Sequence, residues 1–172
     1  VGDFEAALAR LDRLLDGPGS VQERTQRMRE RILVPTLRVD AVFQAAIAEA
    51  RDRTRRHATL PDSDHFRVEY VTGKSWSAYN WYQGGGHSVI QVNLDLPIAI
   101  DRALDLAAHE GYPGHHVYNA LLEQRFAQPA PAGKGWVEFT VYPLFSPQSL
   151  IAEGTANFGI EVAFPGAERL AF

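Results

Sequence analysis

The sequence predicts an α+β fold that is mainly α-helical and contains a small antiparallel sheet. Three patterns support this prediction. Apolar residues recur at helical intervals from Phe4 to about His57, whereas they alternate with polar residues in parts of the stretch from Phe66 to Asn93. Two more helical patterns begin near Asp95 and at Ser146, residue types that commonly cap a helix. The 172-residue chain is long enough for one domain with a hydrophobic core.

Two helices are predicted at the N-terminal end. The first covers residues 3–16, and the Gly-Pro-Gly-Ser sequence at 17–20 ends it. The second runs from about Val21 to His57, and Pro35 is expected to kink it because proline removes a helix hydrogen bond. We interpret its basic end as a solvated face that complements the helix dipole, not as a nucleic-acid or membrane contact. The basic residues are Arg51, Arg53, Arg55 and Arg56.

Three strands are predicted in the middle of the chain, at residues 66–71, 75–81 and 88–93. Three glycines at 84–86 form a turn before the third strand, and we expect a small antiparallel sheet. Two interpretations of the third strand remain open. It is either an edge strand that pairs with an extended peptide substrate or a buried structural strand.

The C-terminal half is predicted to be mostly helical. One helix is predicted from residue 95 to residue 109, and it resumes after Gly114 and runs to about Phe126. Residues 129–135 are predicted to be a loop, and residues 136–142 a strand or an extended segment. A serine cap followed by proline opens the last helix, at residues 146–163.

The composition limits the kinds of function. A formal net charge of -4 argues against a general nucleic-acid binder, which usually has an excess of basic residues. The chain has no cysteine, so any metal must be bound by histidine and carboxylate. No apolar run approaches the ~20 residues of a membrane-spanning helix.

The two ends of the sequence suggest a piece of a longer protein. The chain begins at Val1 without methionine and stops at Phe172, a few residues after the break at Pro165-Gly166. The absence of a signal-peptide pattern therefore favours a cytoplasmic location only slightly. The sequence does not predict an oligomeric state.

The segment with the most chemical content is residues 109–116, which read H-E-G-Y-P-G-H-H. In the simplest helical zinc motif, H-E-x-x-H, the two histidines lie four residues apart and share one face of the helix. The glutamate after the first histidine serves as general base. Here the residue four positions after His109 is Pro113, which cannot bind a metal.

A shared metal therefore requires an irregular helix. In a regular helix His115 would lie ~9 Å from His109 along the axis and His116 ~10.5 Å, too far for two ligands of one ion. Pro113 and Gly114 are able to form a two-residue bulge, which would make His115 the effective fourth position. His116 would be the ligand only if three residues were absorbed. The alternative is a polar histidine patch at a kinked helix.

Residues 109–116 resemble the H-E-x-x-P-G-H-H signature of the bacterial family catalogued as domain of unknown function 885. That family looks like a branch of the gluzincin metallopeptidases, which are mostly helical, and the resemblance implies gluzincin-like helices around a Zn²⁺ site. Related peptidases carry H-E-F-G-H, and aligning their G-H on Gly114-His115 selects His115. The family's downstream E-G-W-A motif reads E-G-T-A at 153–156, which implies Glu153 as the third ligand. The resemblance covers roughly residues 65–163.

Taken without the resemblance, Glu153 is a weaker candidate. It lies on a separately capped helix, where it forms a polar stripe at a spacing of four with Asn157 and Glu161. Such a stripe is also typical of a solvent-facing surface. Asn157 or Glu161 is a candidate to orient a metal ligand by hydrogen bonding.

The predicted function is zinc-dependent hydrolysis of a peptide or small amide bond. Zn²⁺ is expected to be bound by His109, His115 and Glu153, and Glu110 is expected to take the proton of the attacking water.

The alternative is a non-catalytic metal-binding or interaction module, since residues that stabilise the oxyanion can lie beyond Phe172. We divide the chain into an N-terminal helical segment, residues 1–64, and the metal-site part of a truncated metallopeptidase domain, residues 65–172. The exact substrate and the choice between exo- and endo-cleavage are not predicted.

Several other residues are open candidates. His87 follows three glycines and either reaches the site or ends a turn. Tyr112 and Tyr118 flank the motif as candidate donors to an oxyanion, although helical spacing favours a packing role for Tyr118. Three aromatic residues belong either to the core or to a pocket wall: Trp76, Trp81 and Tyr82.

Overall fold

The fold is α+β, mainly helical (55%) with a small three-stranded mixed sheet. A computed structural model describes residues 1–127 and 135–172. The α-helices are α1 (Gly2–Leu14), α2 (Val21–Glu30), α3 (Val39–Thr54), α4 (Ile100–Leu106), α5 (His115–Leu122), α6 (Pro147–Ala163) and α7 (Glu168–Ala171). The strands are β1 (His65–Val71), β2 (Ala78–Gly84) and β3 (His87–Asn93). Shorter helical turns are the 3₁₀ turns Thr36–Arg38 and Val137–Thr140 and the π turns Ala107–Gly111 and Glu123–Ala127.

The predicted kinked helix between residues 21 and 57 is wrong, because the chain forms two separate helices there. Between α2 and α3 the backbone is extended: Leu33 pairs with Ala99, and the Val34 N–H donates to the Ile98 carbonyl oxygen at 2.8 Å. Pro35 follows this extended segment and lacks the N–H that a continuous helix would need. Proline therefore separates two elements here instead of bending one.

The expectation of an antiparallel sheet is also wrong in one pair of strands. The strand order is β1-β3-β2, with β3 antiparallel to β2 but parallel to β1. The glycine turn joins β2 and β3 as a hairpin, and this hairpin places β3 between the other two strands. Because β3 is central, the residues from Ser88 to Asn93 are not an edge strand, and β2 is an edge instead.

The core lies between the sheet and the helices α3, α4 and α6. One cluster of buried side chains contains Ala46, Ala50, Leu104, Ala107, Tyr112, Val117, Ala163 and Phe164. A second cluster contains Val39, Phe43, Ile90, Val92, Ile98, Ala103 and Leu106. Because α4 contributes to both clusters, the residues that follow it are fixed against the sheet on one side and α6 on the other.

The C-terminal elements agree with the sequence in part. Ser146 accepts a hydrogen bond from the Ser149 N–H at 3.1 Å and caps α6, as predicted. The segment 136–142 was expected to be extended, but it contains a 3₁₀ turn at Val137–Thr140. The predicted loop at 129–135 lies outside the described residues except for its last position. Among the described helices, none combines the length and the apolar character needed to cross a membrane.

Candidate metal centre

The helix that carries the motif is interrupted where the sequence predicts it. After α4, residues 107–111 form a π turn in which the Tyr112 N–H donates to the Ala107 carbonyl oxygen at 3.1 Å. The Gly114 N–H then donates to the Ala108 carbonyl oxygen, which lies six residues earlier instead of the four of an α-helix. Two residues are therefore absorbed, and the predicted two-residue bulge is confirmed.

Gly114 is required by the close approach of two backbone segments. A Cβ atom at this position would lie 1.8 Å from the His109 carbonyl oxygen and 2.5 Å from that of Ala108. Both neighbours are backbone atoms, so no side-chain rotation relieves the clash. The same backbone carries His109, which ties the glycine directly to the geometry of the site.

Three side chains converge at the bulge: His109, His115 and Glu153. The Nε2 atom of His109 lies 3.5 Å from one carboxylate oxygen of Glu153, and Nε2 of His115 lies 3.3 Å from the other. The two imidazole rings are nearly perpendicular, with centroids 4.7 Å apart. One ligand atom from each residue lies within 4.8 Å of the other two.

This arrangement is compatible with a zinc ion. Two ligands of one zinc, each ~2.0–2.2 Å from it, lie at most ~4 Å apart. The two histidine–glutamate distances meet that limit, and the ligand atoms of His109 and His115 lie within 4.8 Å of each other. Two nitrogens and one carboxylate are also the ligand set of catalytic zinc sites that keep one position open. The Glu153 side chain is 51% exposed, so the open side faces the solvent.

The surroundings favour the neutral form of both histidines. Burial lowers the pKa of His109, while the Glu153 carboxylate and a hydrogen bond from the imidazole to the Asn157 side chain act in the opposite direction. Burial also lowers the pKa of His115, followed by the charge of His109. Neutral imidazole is the form that binds a metal. Asn157 therefore lies where a ligand-orienting residue is expected.

Close packing of α6 brings Glu153 to the histidines. Ala152, Ala156 and Gly159 are the buried residues of α6 on this side. A Cβ atom on Gly159 would lie 3.3 Å from Pro113 Cδ and 3.4 Å from the Ala108 carbonyl oxygen. Small residues thus allow α6 to approach the bulge, and Glu153 lies at the edge of this contact.

Glu110 lines the same cavity as the three candidate ligands and is only 5% exposed. Burial raises its pKa to about 7, and the charge of Glu153 acts in the same direction. The Asn80 amide nitrogen donates to the Glu110 carbonyl oxygen at 2.7 Å and fixes the backbone at this position. Glu110 and the ligands line the same cavity.

His116 does not lie among the ligands. It is fully buried, with Nδ1 2.8 Å from Ser88 Oγ and Nε2 2.8 Å from an Asp64 carboxylate oxygen. Both ring nitrogens are occupied by these contacts, so the alternative ligand His116 is excluded in this geometry. Adjacent histidines thus have different environments: His115 faces the cavity and His116 faces the core.

Asp64 is the centre of a buried polar network that no pattern in the sequence predicts. It also accepts hydrogen bonds from the Arg51 guanidinium at 2.6 Å and the Tyr112 hydroxyl at 2.9 Å. Tyr112 is therefore not free to donate to an oxyanion, and that expectation is wrong. The network joins α3, β3 and the start of α5, and Asp64 lies in a loop whose sequence contains no pattern that would have revealed its partners.

A cavity of about 970 Å³ opens in front of the ligands. The segment 75–84, which includes the whole of β2, forms one wall of the cavity. Residues of α4, α5 and α6 form the other wall. Trp76, Trp81 and Tyr82 belong to this wall, which settles their placement. Asn93 donates to the carbonyl oxygens of Lys74 and Trp76, both at 3.0 Å, and holds the start of the wall in place.

The remaining candidates lie elsewhere or pack. The exposed His87 ring lies against His65, with centroids 6.1 Å apart, and does not line the cavity. Glu161 forms an ion pair with Arg169 and does not orient a ligand. Tyr118 is half-buried beside Tyr142, and burial raises its pKa.

The chain matches no protein-family model, no curated protein and no solved structure. The family resemblance therefore depends on two short motifs, at residues 109–116 and 153–156. These motifs are far apart in sequence, yet His109, His115 and Glu153 meet at one point of the fold.

Proposed function

We propose that this chain contains the zinc site of a gluzincin-type metallopeptidase, related to the family catalogued as domain of unknown function 885, and that the site hydrolyses peptide or small amide bonds. The observation that supports this most is the convergence of His109, His115 and Glu153. A glutamate follows the first histidine, at the position that such sites use for the general base.

His109 and His115 would hold the ion through Nε2 and Glu153 through its carboxylate, with Asn157 orienting His109. When bound, zinc supplies Lewis acidity that polarises the scissile carbonyl and activates a water at neutral pH. Glu110 would accept a proton from the attacking water and return it to the leaving amine. Its buried position on the cavity wall favours this transfer, because few competing water molecules reach it.

The edge strand β2 supports an extended peptide as the substrate. It pairs with β3 on one side, and among the described residues no strand pairs with its other side. A peptide is able to add to such an edge through main-chain hydrogen bonds, independent of its side chains. The strand lines the cavity beside Glu110, so a peptide bound there would pass the ligands.

A non-catalytic metal-binding module is the second candidate. It is favoured by the exposure of large apolar side chains on α6, namely Leu150, Ile151 and Phe158. These residues lie on the helix that carries Glu153, and their exposure leaves apolar surface of α6 available to a partner. Metal binding without turnover would be the result expected of such a module.

Glu110→Gln separates the two functions. In the peptidase, glutamine keeps the shape of the side chain but cannot accept the proton, so zinc content stays unchanged while cleavage of a peptide library is lost. His87→Ala is the matched control, because His87 lies outside the cavity, and it should retain both properties. Full cleavage by Glu110→Gln would contradict the role of Glu110, and zinc-loaded wild-type protein without any cleavage would favour the non-catalytic module.

A further inference from the structure

The cavity wall contains one arginine that the proposed reaction does not use. Of the described residues that line the cavity, Arg102 is the only lysine or arginine. The acidic residues of the lining are Glu110, Glu123 and Glu153. A negatively charged substrate would meet unfavourable charge along most of this wall, and Arg102 is the exception.

The acidic residues already have partners or roles. Glu153 contacts both histidines, and Glu123 accepts a hydrogen bond from the Gly85 N–H at 2.9 Å and another from the Tyr82 hydroxyl. Neither carboxylate contacts Arg102. The Arg102 guanidinium is thus not paired with either of these carboxylates.

Arg102 lies on the same helical face as the first ligand. His109 lies seven positions after Arg102, nearly two turns on and within the π turn, so the rise between them is at most roughly the 10.5 Å of a regular helix. Arg102, His109 and Glu110 all line the same cavity. Arg102 therefore lies in the same cavity as the ligands, about two turns away from them.

The guanidinium group is able to take another partner. It forms an ion pair with Asp105 on its own helix and donates to Ser77 Oγ at 3.1 Å. The Arg102 side chain is 48% exposed, and a solvent-exposed pair within one helix is weak. Guanidinium has five N–H donors and favours a carboxylate that it can bind through two of them.

We propose that Arg102 binds the free α-carboxylate of the peptide substrate and makes the enzyme a carboxypeptidase. This inference rests on the proposed peptidase function. An extended peptide advances ~3.3–3.6 Å per residue, so the rise of roughly 10.5 Å between Arg102 and His109 accommodates a leaving fragment of at most about three residues. Ser77, which precedes β2, holds the guanidinium at the end of the edge strand on which the peptide would lie.

Direct binding to the zinc-loaded Glu110→Gln protein tests the proposal without cleavage. Calorimetry would compare an acetylated hexapeptide with a free C-terminus, the same peptide as its amide, and an amidated peptide that ends in glutamate. The Kd of the free acid should be lower than that of the amide by a factor of about ten or more, since the amide loses two charge-assisted hydrogen bonds. Adding Arg102→Gln should remove this preference and leave binding of the amide unchanged.

Arg67→Gln is the matched control, because Arg67 also forms a local ion pair but does not line this cavity. It should leave all three affinities unchanged, and Arg102→Lys should retain part of the preference. The proposal is overturned if neither peptide binds, if the wild-type preference is absent, or if Arg102→Gln weakens the acid and the amide equally. Tight binding of the glutamate-terminated amide that depends on Arg102 would also overturn it, in favour of a side-chain carboxylate.

Cleavage assays with zinc-loaded protein that retains Glu110 distinguish this inference from the proposed function. If Arg102 determines binding but neither peptide is cleaved, the carboxylate site stands and the peptidase function fails. If both the acid and the amide are cleaved equally, with and without Arg102, the function stands and the carboxylate site fails.

Discussion

The Gly114 N–H donates to the carbonyl oxygen of Ala108 at 2.9 Å, across six residues of sequence. This bond closes a bulge that absorbs two residues between His109 and His115. Without it, a regular helix would hold the two histidines ~9 Å apart along its axis. The bond therefore converts a spacing that is wrong for a metal site into one in which the rings lie 4.7 Å apart.

Gly114→Ala is expected to abolish metal binding and to destabilise the fold. The added methyl group would lie 1.8 Å from a backbone oxygen, so the bulge must open, at a cost of about 3 kcal/mol or more. Zinc titration and urea unfolding measure the two effects. Gly154→Ala is the control, since nothing lies within 4 Å of its added methyl group, and normal zinc binding by Gly114→Ala would refute the explanation.

Asp64→Asn should destabilise the protein by about 2–3 kcal/mol, because it removes the charged hydrogen-bond partner of the buried His116 and of Arg51. The Asp64 side chain is only 2% exposed, whereas Arg51 is 35% exposed, so water replaces the lost contact at Arg51 but not at His116. The free energy of unfolding in urea checks this. Asp62→Asn, in the exposed part of the same loop, should change it by less than about 0.5 kcal/mol. Equal effects of the two substitutions would show that the network contributes nothing specific.

The Asp64 carboxylate should also make the free energy of unfolding depend on pH in the acidic range. Burial opposes ionisation of Asp64, but hydrogen bonds from His116, Arg51 and Tyr112 outweigh it and lower the pKa to about 2. A carboxyl whose pKa is lowered on folding stabilises the protein above its unfolded pKa of ~3.9, and this contribution is lost as the pH falls. The stability difference between wild type and Asp64→Asn should narrow by about 2–3 kcal/mol between pH 5 and pH 2, measured without metal. A constant difference would contradict the assigned pKa.

Zinc should raise the thermal stability of the wild-type protein. An ion that binds only the folded state adds ~2.7 kcal/mol when its concentration is a hundred times the Kd. His115→Ala should lose this effect, whereas His87→Ala should keep it, because His87 lies against His65 outside the cavity. The melting temperature with zinc and with a chelator measures the difference. An unchanged zinc effect in His115→Ala would exclude this residue as a ligand.

Local patterns predicted the parts of the fold that depend on local physics. The cap at Ser146 follows from a serine–proline pair, and the bulge follows from Pro113 and Gly114 within a motif that a regular helix cannot satisfy. In both cases the residue types themselves restrict the backbone. The meeting of His109, His115 and Glu153 was predicted from motif resemblance, and the fold places them together.

Long-range relationships were not accessible in this way. Alternation identifies three strands but not their order, so the central place of β3 and its parallel pairing with β1 were missed. Asp64 lies in a polar loop, and only the folded chain brings it to His116 and Arg51. The proposed role of Arg102 depends on which wall of the cavity its helix forms.

Zinc K-edge X-ray absorption on the zinc-loaded chain and on His115→Ala tests the central claim most directly. The wild-type spectrum should show two imidazole nitrogens and a carboxylate oxygen at ~2.0–2.2 Å, and His115→Ala should lose one imidazole. An identical spectrum in the variant, or a wild-type spectrum without imidazole, would contradict a site built from His109, His115 and Glu153.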